Sequence, residues 1–513
     1  NAAVLGTLGT IVALEKFSEE LSQKFRLANL EALDELGLLD VRGKRWEFRS
    51  ESVRDAAYQT LTKAARAQRH AGVAKALAKS SGQVDDRAHH TAAAAELVQE
   101  LGAVDGVPVD IGTRAIDLLS LAADRALEAG SLRMAVRHST RALDLGDQQS
   151  ATPELTAHLH LVRATAYTEK RNFNAAAADI DALHEIALQL EDRTLEAQAF
   201  RLRGALSQVA GRMDDARREL GTAVDLLRDS DRLDLLAQAL RVRGFIEMFG
   251  GSLTDAEWFF GEADGLYQEL DDERGLAYIE QHRAWIAFLS GDLAAARERL
   301  THAAETHERL GDRNGVGWAL GLLAFVEFFQ RNFEEAERLA EMVGQEARQR
   351  GDDWAGGMMD TLLADLRLWQ GKLEEALELA EKARTRFKKL SDRFGTVQAL
   401  APLLRAQVAT GRDSAAIRTG EELVAMADSG QNGPYPMMAV AGAAMHRGNG
   451  QAAAMMAERA IAQLELLGGQ ASEPLVVLAL AYAQLDRIDD ALTTIESVPA
   501  AGRDHPFTHA VSA

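Results

Sequence analysis

Not one cysteine occurs in the 513 residues of this chain. That excludes a disulfide framework and a thiolate metal site, and it fits a reducing, cytoplasmic setting. Proline is scarce, at 8 residues, so few points in the chain resist a helix. No apolar run reaches the roughly eighteen residues of a membrane span; "PLVVLALAYAQL" (474–485) is far too short. No basic stretch opens an apolar one at the start, so no secretory signal is expected. The chain begins at Asn1 rather than at Met, which suggests a piece of a longer protein. Positive charge is the minority: 57 Lys and Arg stand against 78 Asp and Glu, for a net charge of −21. Such a balance argues against wrapping nucleic acid, which rests on neutralising phosphates, and favours solubility and basic partners.

Catalytic signatures are missing as well. No G-x-x-x-x-G-K-[ST] phosphate loop, H-E-x-x-H or G-x-S-x-G occurs. If the parent protein hydrolyses a nucleotide, the core that does so lies before Asn1. The pairs His89/His90, His158/His160 and His302/His307 lack the i,i+4 spacing that puts two imidazoles on one helical turn, so packing or surface histidine is the better reading. The carboxylates Glu334, Glu335, Glu337, Glu341 and Glu374, Glu375, Glu378, Glu381 fall early in expected helices, where they match the helix dipole. The basic run "KARTRFKK" (382–389) falls near a helix end and reads as a solvated, dipole-matched face. Neither a catalytic residue, a cofactor nor a metal is expected in this chain.

What the chain has is a repeat. Ala176, Ala216, Ala256, Ala296, Ala336, Ala376 and Ala416 are forty residues apart each time. A fixed period of that size marks a solenoid. Glycine often precedes the mark by five residues (Gly211, Gly251, Gly291, Gly371, Gly411), and an apolar residue by three (Phe173, Met213, Leu253, Leu293, Phe333, Leu373). An acidic beat (Asp192, Asp272, Asp312, Asp352, Asp392) opens the other helix of the pair, apart from the one that carries the marker alanine, as an N-cap. Small residues (Ala164, Gly204, Gly244, Ala284, Ala324, Ala364) stand twelve before all but the last mark, where two helix backbones approach closely.

The pattern resembles the tetratricopeptide repeat. Like that family it has a small residue in the middle of the first helix and an alanine early in the second. A further alanine follows seven residues on: Ala223, Ala263, Ala303 and Ala383. The period is six longer than the family's usual one, and most of its consensus aromatic and proline positions are replaced, which matches the long-repeat signalling branch. The resemblance implies an all-α, right-handed superhelical solenoid of antiparallel helical hairpins.

Residues 1–49 differ in texture. Two amphipathic stretches, 12–25 and 27–39, precede an alternating segment around Arg42-Gly43-Lys44, a hairpin signal. Together they predict a small winged-helix-like unit. The segment carrying Leu36-Gly37-Leu38-Leu39, Phe48-Arg49, Val53-Arg54-Asp55-Ala56-Ala57-Tyr58 and Arg69-His70 resembles the joint between ATPase and repeats in MalT-like STAND signalling proteins. That group includes ATPases fused to adenylate cyclases and LuxR-type activators. Its members usually carry histidine after Phe-Arg, where this chain has Ser50. The expected organisation is a partial winged-helix-like unit (1–49), linker helices (50–110), repeats (111–427), atypical capping repeats (428–500) and a tail (501–513).

Two ladders are candidate binding features. Arg163, Arg203, Arg243 and Arg283 recur at the repeat period, with Arg201 and Arg241 beside them. They either pair with acids such as Glu185, Asp225 and Glu305 or form a basic rim for an acidic ligand. The second ladder is apolar and clustered in first helices: Phe245, Trp285, Phe325; Met248, Phe288, Phe328; Phe249, Phe329, Trp369. It is either inter-repeat packing or a concave groove for a peptide, a helix or a small apolar ligand. Three functions follow as expectations. The first is a non-catalytic sensor or scaffold arm regulating an attached STAND-type ATPase, with a protein or peptide partner in the groove and self-association left open. The second is a free-standing scaffold for protein–protein interaction. The third is part of an enzyme whose nucleotide site draws on residues 1–60. No direct nucleic-acid or membrane contact is expected.

Overall fold

The computed structural model describes residues 1–79, 84–149, 151–250, 253–427, 435–466 and 471–499. The chain divides into two compact units, Asn1–Tyr167 and Thr168–Ala513.

The first unit opens with a three-stranded antiparallel sheet, in the order β1 (Leu8–Thr10), β3 (Arg45–Phe48), β2 (Leu39–Arg42). Two helices, Ile11–Glu20 and Leu27–Glu35, lie between β1 and β2 in sequence. Gly43, with φ of 60°, makes the β2–β3 turn where the hairpin signal fell. Buried Phe17, Leu30, Leu39, Trp46 and Val73 form one core, and Trp46 Nε1 donates to the Thr10 carbonyl at 3.2 Å. This is the small α/β unit that the opening sequence predicts. Helices Glu51–Gln59, Lys63–Leu77, Val84–Leu101, Ile111–Glu128 and Leu132–Gln149 follow. Ser50 caps the first of these, its hydroxyl accepting from Val53 N at 3.3 Å.

The second unit is a solenoid of stacked helix pairs. Its first helices include Arg193–Val209, Leu233–Gly250, Glu273–Leu289, Arg313–Phe329, Asp353–Trp369 and Arg393–Ala409. Their partners are Met213–Arg228, Leu253–Glu269, Leu293–Arg309, Phe333–Arg350, Leu373–Lys389 and Asp413–Ala427. Each repeat contacts its sequence neighbours, as expected of a quasi-one-dimensional stack. The marker alanines of these pairs are buried at the contact between first and second helix. The acidic beat caps as predicted: Asp192 accepts from Thr194 N and Leu195 N, Asp272 from Gly275 N, Asp312 from Gly315 N, Asp352 from Ala355 N and Asp392 from Gly395 N.

Glycine at the turn between paired helices has a stereochemical reason. Gly211, Gly291, Gly371 and Gly411 have φ between 69° and 82°, a left-handed conformation that a Cβ disfavours. At the same position two repeats place arginine instead, Arg171 (φ 55°) and Arg331 (φ 67°).

Candidate functional site

The aromatic ladder is split by burial. Met248 is fully enclosed and Phe328 is 9% exposed; both belong to inter-repeat cores. Phe245, Trp285, Phe288, Phe325 and Phe329 are half-buried and lie against those cores. Phe249 belongs to the helix Leu233–Gly250, and its side chain lies outside what is described. Trp369 is 62% exposed.

Trp285, Phe288, Phe329, Phe328 and Trp369 nevertheless join one continuous row, while Phe245 meets His282 and Phe325 is not part of the row. Ring centroids are 5.8 Å apart for Trp285–Phe288, 5.5 Å for Phe288–Phe329, 5.4 Å for Phe329–Phe328, 5.7 Å for Phe328–Phe333 and 5.8 Å for Phe333–Trp369. Most are edge-to-face, the arrangement the ring quadrupole favours. Phe333 completes the row from a second helix. Reading the sequence by helix type kept it apart, although it was visible as one of two phenylalanines on the apolar beat before the marker alanines. Arg331 lies over the Trp369 ring at 6.0 Å, a cation–π contact at the exposed end.

The arginines divide by partner. Arg203 pairs with Asp181 at 2.9 Å. Arg243 pairs with Glu247 at 2.6 Å, which also receives Arg217 at 3.1 Å. Arg283 meets both Glu257 and Asp264 at 2.9 Å. In the first unit Arg163 donates to Thr140 Oγ1 at 3.1 Å. The acids that answer this row are therefore Asp181, Glu247, Glu257 and Asp264 rather than the expected Glu185, Asp225 and Glu305. An arginine of a first helix reaches the second helix before it, or an acid one turn along its own helix. Arg201 and Arg241 behave differently. Arg201 is half-buried, and its enclosed Nε has no hydrogen-bond partner among the described residues. Burial, and the charge of Arg241 beside it, push its pKa down to about 10. Arg241 rests on the Tyr278 ring at 4.9 Å.

Around Tyr278 a polar network closes. Its hydroxyl donates to Asp312 Oδ2 at 3.0 Å, while Arg274 stands 3.8 Å from the same carboxylate. Further along, Trp318 and Trp354 stack at 5.0 Å. The Arg171 guanidinium lies over Trp354 at 4.8 Å and pairs with the buried Asp392 carboxylate. Glu169, whose side chain reaches solvent, sits beside Asp312, Asp352 and Arg350; the protein crowded around it and the two like charges raise its pKa to about 7.

The basic run at 382–389 is internally answered. Lys382 and Arg386 reach Asp360, and Arg384 and Lys388 reach Glu422. In the first unit the joint motif brings Tyr58 and His70 together: the phenol oxygen is 2.9 Å from His70 Nε2, and His70 Nδ1 is 2.8 Å from His90 Nδ1. Burial above all drives both imidazoles toward the neutral form, His70 to about 4 and His90 to about 3. Spacing could not reveal that contact, because the two residues lie on different helices. Among the described residues no group of three or more His, Asp or Glu is placed to hold a metal ion. Nor is any described helix long and apolar enough to cross a membrane.

These features define a tetratricopeptide-like solenoid behind a small α/β unit. No sequence-family model matches the chain, and no curated protein matches it in sequence. Solved structures align at low identity. A Rap protein complexed with competence and sporulation factor is 12% identical, covering 78% of this chain and 99% of that one, with a TM-score of 0.43. A STAND protein with a tetratricopeptide repeat sensor from Pyrococcus horikoshii is 13% identical, covering 90% of this chain and 62% of that one, with a TM-score of 0.37. The Cut9 chain of the APC/C hetero-tetramer Cut9–Hcn1 aligns at 13% identity over 89% of this chain and 94% of that one, with a TM-score of 0.36.

Proposed function

We propose that the chain is a non-catalytic sensor or scaffold arm that binds a protein or peptide and regulates an attached STAND-type ATPase. The observation that carries the binding role is the aromatic row. It begins at the half-buried Trp285, passes through the core ring of Phe328 and ends at Trp369, whose ring is mostly open to solvent. Buried rings hold the outer ones in fixed orientation, so a partner stacking on Trp369 meets a rigid aromatic anchor, the residue type that dominates binding energy. The regulatory half of the reading rests on the joint motif around Tyr58 and His70 and on its resemblance to MalT-like proteins.

Two measurements test it. A photo-crosslinking amino acid at position 369 in cells should capture a discrete partner, whereas the same group at Gly261, on an exposed stretch of a second helix, should not. Equal labelling at both positions refutes a specific surface. Purified chain should neither bind nor hydrolyse ATP; turnover abolished by a change within the chain would restore the enzyme reading. A phosphate loop encoded upstream in the parent reading frame supports the ATPase arm, and its absence favours a free-standing scaffold.

A further inference from the structure

We infer that Arg201 and Arg241, with Gln281, form an anion-binding site on the first helices of three successive repeats, built for a carboxylate or phosphate group. The three residues occupy one position of the forty-residue period. They lie on the helices Arg193–Val209, Leu233–Gly250 and Glu273–Leu289.

The argument starts from a contrast two residues along the same helices. Arg203, Arg243 and Arg283 each have a carboxylate within 3 Å. Arg201 has none among the described residues, although the chain is rich in acids, with 78 Asp and Glu. Its side chain is half-buried, its Nε is enclosed and unpartnered, and the charge felt most strongly beside it is another arginine. Enclosing part of a guanidinium without a counter-charge is unfavourable, and a like charge alongside makes it worse. Arg241 gains only the face of Tyr278, whose hydroxyl is turned to Asp312. That carboxylate already accepts from the Gly315 amide and from Tyr278, so it is not spare. Gln281, 3% exposed, adds a third polar head whose Oε1 has no partner among the described residues. Two guanidinium forks suit a flat or tetrahedral oxyanion, and the amide nitrogen of Gln281 supplies one more donor.

The site refines the binding-arm reading and is separable from it, because Trp369 belongs to a different surface. The test uses the full chain at constant ionic strength, with inorganic phosphate and a fluorescein-labelled hexaglutamate peptide as probes and chloride as the control. A bound anion should raise the melting temperature of the parent chain as its concentration rises, with the logarithm of concentration above Kd. Arg201→Gln and Arg241→Gln should each weaken the probe by roughly tenfold or more, the loss expected of a charge-assisted bidentate contact, while Arg203→Gln leaves it unchanged. If Arg201→Gln unfolds, Arg201→Lys, which keeps the charge without the fork, should fold and still lose affinity. Hexaglutamate binding marks a partner-borne carboxylate, and binding of phosphate alone marks a free phosphate group. Failure of both probes to bind the parent chain, or binding to the Arg201 variants as to the parent, overturns the site. Crosslinking at position 369 that persists in the Arg201 variants shows that the binding-arm reading survives on its own.

Discussion

Replacing Gly244 by alanine sets two effects of opposite sign against each other. In the middle of a helix, alanine is favoured over glycine by about 1 kcal/mol. A Cβ at Gly244, however, would stand 2.6 Å from Phe260 Cε1, 2.7 Å from Cδ1 and 3.1 Å from the Ala256 carbonyl oxygen. Phe260 is fully buried, so its ring has nowhere to go. Overpacking of this kind costs roughly 1–3 kcal/mol, and here it should win, leaving Gly244→Ala less stable by about 1 kcal/mol and Gly244→Leu by more. Gly261, in the facing helix, has nothing within 4 Å of its missing Cβ. The same substitution there should stabilise by roughly 0.5–1 kcal/mol, which isolates the packing effect. The next repeat holds Ala284 and Leu300 at the two equivalent positions. Phe260→Leu should therefore rescue Gly244→Ala, with a coupling of about 1 kcal/mol in a double-mutant cycle. Urea unfolding followed by circular dichroism measures the parent and each of these variants. A Gly244→Ala chain as stable as Gly261→Ala, or a cycle without coupling, would refute the claim that this contact sets the distance between the helices.

Three further outcomes are expected. Phe328→Ala should lose roughly 3–5 kcal/mol of stability and Trp369→Ala less than about 1, because one ring is core and the other is surface; equal losses in denaturant would contradict the division of the row. The neutral pair His70 and His90, which faces His89, Tyr58, Arg66 and Arg141, has folded pKa values below the ordinary 6.5. Its contribution to stability should be complete above that value and fade as pH falls from 6.5 toward 4, since the unfolded chain takes up protons first; a first-unit melting temperature that is flat over that window rules this out. Arg171→Gly relieves a left-handed arginine, yet it strips the buried Asp392 of its counter-charge, so a net loss on the order of 2 kcal/mol is expected by calorimetry. A gain would show that the ion pair is immaterial.

The solenoid was legible in the sequence because its rules are local. Small residues where helices cross, aspartate at each N-cap and glycine at the left-handed turn are dictated by sterics and hydrogen bonding within one repeat. The hairpin at Gly43 follows the same logic. The fate of individual arginines was not legible. Arg201 and Arg203 are two residues apart on one helix, and only their positions around its axis separate a paired side chain from an unpaired one. Periodicity grouped them as a single basic rim. The ring row was half legible: clustering in first helices found most of its members, but Phe333 enters from a second helix. Compensation between repeats was readable and went unused. Tyr267 faces Gly275, His307 faces Gly315 and Phe387 faces Gly395, while Ala347 stands at the same step from Ala355. A large side chain in one helix is answered by a missing Cβ in the next.

The contact between Arg171 and Asp392 spans 221 residues, in an architecture where almost every other contact joins neighbours. Closing a loop of that length in a disordered chain costs about 5 kcal/mol in entropy alone. The two groups therefore meet only after the intervening repeats have stacked and delivered them to each other. The pair is a late-forming clasp that registers whether the coil between its ends is complete. Slippage or fraying in any repeat from the first helix pairs to the Asp392 turn would open it, whichever repeat had failed. A stack built from interchangeable local steps thus acquires one all-or-none joint, through which strain at one repeat is felt several repeats away.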